Sequence, residues 1–368
     1  MIKIGVLTSS RADYSIYLPL LKLLQSDSFF DLSIIAFGTH LSQKHGFTIN
    51  QILEDGFEVK HKITSIPESD SPKSISDNIA NTIIGLNEVW ANNTFDLVFC
   101  LGDRSEMFAA CTCAIPFNIS LAHIHGGEET TGAIDNVFRH SISHMSKYHF
   151  VTTEIYKNRV VELCGSAENV FNVGALSIDN LVGLKFYNQN DFFERFKIDL
   201  TIPYILITFH PETVSYEKNR QYIEELVGAL SVVKKYQYII TMPNTDTMGN
   251  LIRERLIKFS KTNKRTICIE NLGTIGYLTC MKYASFMLGN TSSGFVEASY
   301  FPKYVVNLGV RQNGRIVTPN INTCEINQES IIAAINAFDK IKLTSNVNIY
   351  GNGNAAENIV TILKSKYE

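Results

Sequence analysis

The sequence predicts an α/β protein of two Rossmann-like, doubly wound domains facing a cleft. Three observations carry that reading. Short apolar runs of strand length alternate with stretches of helical spacing along the whole chain. Run after run ends in Gly followed by charged or imidazole side chains, as in Leu97–Gly102 before Asp103-Arg104 and Leu121–Ile124 before His125. The alternation loosens into a polar stretch around residues 175–200 and then starts again, so the 368 residues divide into two units of ordinary size.

Lys3–Leu7 reads as a buried strand, Thr8–Asp13 as a polar loop, and Tyr14–Leu24 as a helix with no proline break (apolar Tyr17, Leu18, Leu21, Leu24). Leu32–Phe37 is the second strand and ends in Gly38-Thr39-His40. Ile75–Trp90 is a helix, with Ile79, Ile83, Leu86 and Trp90 on one face. Two central strands follow, with the helix Met107–Ala114 between them, and Phe150–Thr152 and Val170–Val173 complete the sheet, the last ending at Gly174. The second alternation runs through strands at Tyr204–Thr208, Tyr238–Thr241, Thr266–Ile269, Phe286–Leu288 and Tyr304–Leu308. The expected domains are 1–185 and 186–352, with a final segment 353–368.

Hydrophobic residues make up 45% and charged residues 19%, which supplies two cores and argues against disorder. The net charge is −3 and no basic run exceeds a pair, so neither nucleic acid nor a membrane surface is the expected partner. Seven cysteines, an odd number with no C-x-x-C, suit reduced buried thiols. Met1–Leu7 shows no signal-peptide pattern, and no run approaches a membrane span. The expectation is a cytoplasmic protein.

In an open α/β sheet, ligands bind outside the carboxyl ends of the strands. Asp103, Arg104, His123, His125 and Glu128 lie on two such ends, and Asp135, Arg139 and His140 open the next helix. His123 and His125 alternate, so a strand would point both to one side. With Glu128, and with His140 and His144 four apart on one helix face, they could ligate a metal, but no H-E-x-x-H is present and Asp103 and Arg104 suit acid–base work, so no metal is expected. Gly289-Asn-Thr-Ser-Ser-Gly294 joins a strand to a helix that Ser292 or Ser293 could cap, leaving free N–H groups for a phosphate. Arg311 lies past the next strand end, Arg11 on the first loop, and His210 at the start of the second domain. Together they suit a diphosphate held in the cleft. Gly351-x-Gly353-x-x-Ala356 fits a dinucleotide fingerprint only nominally, since it precedes the last helix, and no Walker A motif occurs.

A specific resemblance adds to this. Ser10-Arg-Ala-Asp-Tyr14, Gly38-Thr-His40, Gly102-Asp-Arg104, His123-Ile-His-Gly-Gly-Glu128, Gly132-Ala-Ile-Asp135 and Arg139-His140 occur in order. Pro243-Asn244, Gly289–Gly294, Asn307-Leu-Gly309, Arg311-Gln312, Gly314-Arg315 and Tyr350-Gly-Asn-Gly-Asn354 continue the series. The set resembles the hydrolysing UDP-N-acetylglucosamine 2-epimerases over nearly the whole chain. The resemblance implies a glycosyltransferase-B architecture with a C-terminal helix crossing back to the first domain, no metal, no nicotinamide or other cofactor, and a homodimer or homotetramer.

It also implies conversion of UDP-N-acetylglucosamine to N-acetylmannosamine and UDP, by elimination to a glycal and hydration. The alternative is the same reaction on a UDP- or GDP-linked 2,4-diacetamido-2,4,6-trideoxyglucose, for legionaminic rather than sialic acid. A glycosyltransferase of the same fold, a non-hydrolysing epimerase and a silent nucleotide-sugar sensor are the rivals. Asp103, Glu128 and Asp135 would be the catalytic carboxylates, with His123 and His125 relaying protons and His210 at the leaving phosphate. Arg11, His40, Arg104, Arg139, Gly174, Asn244, Ser292, Ser293, Glu297 and Arg311 would bind the sugar and UDP. Many relatives have a carboxylate at the position of His125, so the identity of the base at C2 stays open.

Overall fold

A computed structural model describes residues 1–368 apart from 68, 70, 131–132, 213, 215, 244–247, 339–340 and 342–347. Two compact units result: 1–128 with 135–182 and 350–368, and 129–134 with 183–349. The short stretch Glu129–Ile134 thus groups with the second unit although the chain on both sides of it belongs to the first.

In the first unit, β1 (Ile2–Thr8), β2 (Phe30–Phe37), β3 (Val59–Ile63), β4 (Leu97–Leu101), β5 (Leu121–Ile124), β6 (Tyr148–Val151) and β7 (Val170–Asn172) form one sheet. Its order is β3-β2-β1-β4-β5-β6-β7 and every pairing is parallel. Parallel strands covered on both faces need continuous apolar runs, and all five residues of β4, Leu-Val-Phe-Cys-Leu, are buried. One core lies around Tyr17, Leu21, Ile34 and Phe99, and another around Leu86, Trp90, Val98 and Met107. β3 (Val-Lys-His-Lys-Ile) escapes the sequence reading because it is an edge strand, where lysines can stay wet.

In the second unit, β8 (Tyr204–Thr208), β9 (Gln237–Thr241), β10 (Thr266–Ile269), β11 (Phe286–Gly289), β12 (Val305–Leu308) and β13 (Ile321–Cys324) pair in the order β10-β9-β8-β11-β12-β13. Again every pairing is parallel. β13, another short edge strand with polar residues, is the one strand of this unit missed in the sequence. The expected fold class, two Rossmann-like doubly wound domains, is what the two sheets show. In each, the order turns back at one point, β1/β4 and β8/β11, where ligands of such sheets bind.

The first helix corrects one expectation. It runs Arg11–Ser26 and contains Pro19. A proline removes one i→i−4 hydrogen bond and frees the carbonyl four residues back. That carbonyl, of Ser15, accepts instead from the Asn180 side-chain amide at 2.6 Å, so the helix passes through the proline with its backbone satisfied. The last helix, Ala355–Tyr367, packs in the first unit. The Asp179 carboxylate accepts from the Ala355 and Ala356 N–H groups at 3.0 and 2.7 Å and so caps it from far away in sequence.

Candidate functional site

β4 and β5 pair in register, Cys100 beside His123 and Leu101 beside Ile124, which brings their carboxyl ends together. His123 itself points into the interior and is fully buried. Its Nε2 lies 2.8 Å from the Gly102 carbonyl and its Nδ1 3.0 Å from the Ser143 hydroxyl. A carbonyl only accepts, so Nε2 carries the proton and Nδ1 accepts from Ser143. Burial, partly offset by the Gly102 bond, pushes the imidazole down to about 3. His123 is therefore a neutral brace between the end of β4 and the next helix, with both ring nitrogens bonded to protein groups.

His125 is not on the same side as His123, because β5 ends at Ile124 and His125 adopts a left-handed φ of 67°. Its N–H donates to the Phe150 carbonyl at 3.2 Å. The turn continues through Gly127 (φ 75°), where an added Cβ would come within 2.3 Å of the Tyr156 carbonyl oxygen. That turn swings the chain back so that Glu128 meets His125, with Oε1 3.1 Å from Nδ1.

Arg139, on the helix Asp135–Met145, gathers the rest. It is 2% exposed. Its Nη1 donates to the His125 carbonyl at 3.1 Å and lies 3.5 Å from Glu128 Oε2, while Nη2 pairs with Asp103. The Thr152 hydroxyl adds a 3.4 Å donation to Glu128. One buried cation thus stands between two carboxylates, and a buried carboxylate needs such partners to stay ionised. Asp135, half-buried, sits four residues before Arg139 and so on the same helix face. His140 Nε2 is 3.1 Å from the Asn136 amide.

Two residues of the expected binding set make contacts within the fold. Arg104 pairs with Glu106 at 3.2 Å. Gly174 (φ 89°) lies against the returning chain: Ala175 N–H donates to the Tyr350 carbonyl, and a Cβ on Gly174 would stand 3.0 Å from that oxygen. His40, also in that set, is 0% exposed, with Nε2 and Nδ1 each 2.9 Å from a hydroxyl, of Thr8 and Thr48. It stands behind Asp13, whose carboxylate accepts from Thr8, Ser9 and Ser10 and closes the capping box of the first helix. Burial would raise the Asp13 carboxyl, but bonds from His40, Thr8 and Ser9 outweigh it and hold it below its ordinary range. That brace positions the half-buried Arg11 at the helix start.

In the second unit, the strand ends are tied by amides. His210 N–H donates to Asn290 Oδ1 at 2.7 Å, and Asn290 Nδ2 donates to the His210 carbonyl at 2.8 Å. Gln312 Nε2 donates to the Asn290 carbonyl at 2.8 Å, and Arg315 Nε to Gln312 Oε1 at 2.6 Å. Arg311, 8% exposed, gives one N–H to the Pro211 carbonyl at 2.7 Å. Glu212 accepts from Val310 N–H at 3.1 Å.

The expected serine-capped helix is corrected here. Ser292–Gly294 is a 3-10 turn capped by Thr291, and the helix that follows, Glu297–Tyr300, is one turn long. So short a helix adds little dipole. The Ser293 hydroxyl pairs with that of Tyr277, which burial raises well above its ordinary value; Ser292 is exposed and Glu297 half-buried. Asn244 lies outside the described residues. Sequence reasoning missed the Asn290–His210 bracket, since partners 80 residues apart leave no local pattern, and the place of Asp13, although Ser10-x-x-Asp13 is a local capping-box signal.

A family profile described as UDP-N-acetylglucosamine 2-epimerase matches residues 22–364. The chain belongs to this family. Among its curated relatives is a UDP-N,N'-diacetylbacillosamine 2-epimerase (hydrolyzing) of Legionella pneumophila, 34% identical and covering 99% of this chain and 96% of the relative. A GDP/UDP-N,N'-diacetylbacillosamine 2-epimerase (hydrolyzing) of Campylobacter jejuni is 35% identical, over 92% and 87%. The crystal structure of the Neisseria meningitidis UDP-GlcNAc 2-epimerase bound to UDP-GlcNAc superposes with a TM-score of 0.81 at 18% identity, over 99% of this chain and 100% of that one, a likeness of fold. In this 2-epimerase family member, no group of three or more His, Cys, Asp or Glu among the described residues could hold a metal ion. No described helix is long and apolar enough to cross a membrane.

Proposed function

We propose that this family member is a hydrolysing 2-epimerase acting on a UDP-linked 2,4-diacetamido-2,4,6-trideoxyglucose, the sugar named N,N'-diacetylbacillosamine. The observation that carries the reaction class is the cluster of Asp103, Glu128, His125 and Arg139 at two neighbouring strand ends. Inverting C2 means breaking a weakly acidic C–H bond, and that needs proton-transfer groups on both sides of the ring. Asp103, Asp135, Glu128 and His125 are the candidates. Arg311, His210 and the N–H and hydroxyl groups of Ser292 and Ser293 are the candidate donors to the leaving diphosphate. Arg104, His123, His40 and Gly174 support the groups of the first unit through their contacts within it.

The sugar is chosen by the relatives. Two of the three relatives above 30% identity carry the diacetamido sugar in their names, and the third, 33% identical, is named a polysialic acid biosynthesis protein. The two names support that sugar over UDP-N-acetylglucosamine, the expectation placed first from the sequence. The Campylobacter relative's name includes GDP, which favours a second reading with that nucleotide.

Proton NMR in D2O with each of the three sugar nucleotides tests the proposal. Free UDP together with the free 2-epimer, deuterated at C2, from the diacetamido substrate is the expected result. Turnover of UDP-N-acetylglucosamine alone would overturn the substrate, and nucleotide-sugar binding without UDP release would overturn the reaction.

A further inference from the structure

We infer that His125, backed by Glu128, is the base that removes the C2 proton. The inference rests on the 2-epimerase reading above and assigns one residue within it.

Two features set His125 apart from His123. First, its ring is committed at one end only. Nδ1 faces Glu128 Oε1 at 3.1 Å, whereas Nε2 has no hydrogen-bond partner among the described residues. His123, by contrast, spends both nitrogens on protein groups. A buried polar atom left without a partner is costly, by about 1–3 kcal/mol, and a catalytic role is one reason for such an atom to be kept. Second, the backbone is held where non-glycine residues seldom go, at φ 67°, fixed by the N–H bond to Phe150 and the Arg139 bond to its carbonyl. The chain tolerates that conformation and keeps an imidazole there rather than a glycine.

Glu128 determines what the ring can do. It is 1% exposed and its other oxygen faces the Arg139 guanidinium. A carboxylate accepting at Nδ1 places the ring proton there and leaves the lone pair on Nε2, and it stabilises the imidazolium that forms when Nε2 takes a proton. In the elimination, Nε2 accepts the proton from C2. The C2–H electron pair becomes the C1=C2 bond, and the C1–O bond breaks with its pair leaving on the UDP oxygen. The imidazolium then releases its proton to water. In the hydration, water adds its hydroxyl to C1 and gives its proton to solvent, while C2 receives a proton from the opposite face from a carboxylic acid of the cluster, which solvent then reprotonates.

The test is His125→Gly in the full chain. Glycine adopts φ near 67° without strain, so the turn keeps its course, and the missing ring leaves room for free imidazole. The expected result is a kcat about 10²-fold or more below wild type with KM within about threefold, restored in part by added imidazole. The restored rate should fall several-fold when substrate is deuterated at C2, a readout that mere cavity filling would not move. His125→Asn, which also suits the backbone but fills the space, should be as slow and gain nothing from imidazole. A His125→Gly enzyme within tenfold of wild type, or one that imidazole does not restore, overturns the inference. A restored rate indifferent to deuterium overturns it as well. Wild-type enzyme that releases no UDP would instead bring down the functional reading itself.

Discussion

At the carboxyl ends of β4 and β5 the side chains that meet are titratable groups around one buried arginine. At those of β8, β11 and β12 they are amides, backbone groups and an arginine resting on a carbonyl. The two sheets share a parallel topology, so the fold does not account for the difference. Chemistry does. A site that moves protons needs groups that can exist in two charge states, and such groups must be held by other charges once buried. A site that holds a diphosphate needs donors fixed in place before the anion arrives, and neutral amides fix them without adding negative charge. The comparison teaches that loss of one group should damage the first unit through charge and the second through geometry.

The largest effect is expected where the titratable cluster meets the reaction. Asp103→Asn and Glu128→Gln should each lower turnover by about 10²–10⁴-fold while UDP still binds by calorimetry. Near-wild-type turnover in both would erase the contrast. Arg139→Met should cost stability instead, about 3–5 kcal/mol, because it strands the Glu128 and Asp103 charges; a denaturant midpoint close to wild type would show that the carboxylates need no counter-ion. In the second unit, Asn290→Ala removes two bonds to the His210 backbone and should cost about 1–3 kcal/mol. Chemical denaturation that finds no loss would dissolve the bracket. Arg311→Ala should weaken UDP about tenfold, since a charge-assisted hydrogen bond contributes about 1.5–3 kcal/mol; an unchanged dissociation constant takes Arg311 out of the site.

The smallest effect sharpens the same contrast through pH. The folded His123 titrates at about 3, against 6.5 for a free imidazole. Between those values the unfolded chain binds a proton that the folded chain refuses, so stability is lost as pH falls, at up to about 1.4 kcal/mol per pH unit from this group. Replacing it, as in His123→Gln, should flatten the melting temperature between pH 6 and 4 relative to wild type. An equally steep profile would mean that His123 is protonated in the fold.

Much of this was legible in the chain. Continuous apolar runs such as Leu97–Leu101 and Tyr204–Thr208 read as strands covered on both faces, because they are short, rich in β-branched or aromatic residues and flanked by Gly or Pro. The Gly and charged residues after them follow from strand ends opening on a site. The edge strands β3 and β13 were not legible, since a strand with one neighbour and polar residues leaves no pattern distinct from loop.

The sequence by itself determined the two alternations, the residues that carry charge at the strand ends, and a family resemblance that the matching profile bears out. Only the tertiary structure decided which of those residues face a partner. It turned His123 inward and His125 out of the strand, gave Pro19 its substitute donor in Asn180, and set His40 behind Asp13. The reason is that hydrophobic periodicity records which side of an element is buried, whereas a hydrogen bond between residues 80 or 165 apart depends on register and turn geometry that no local window contains.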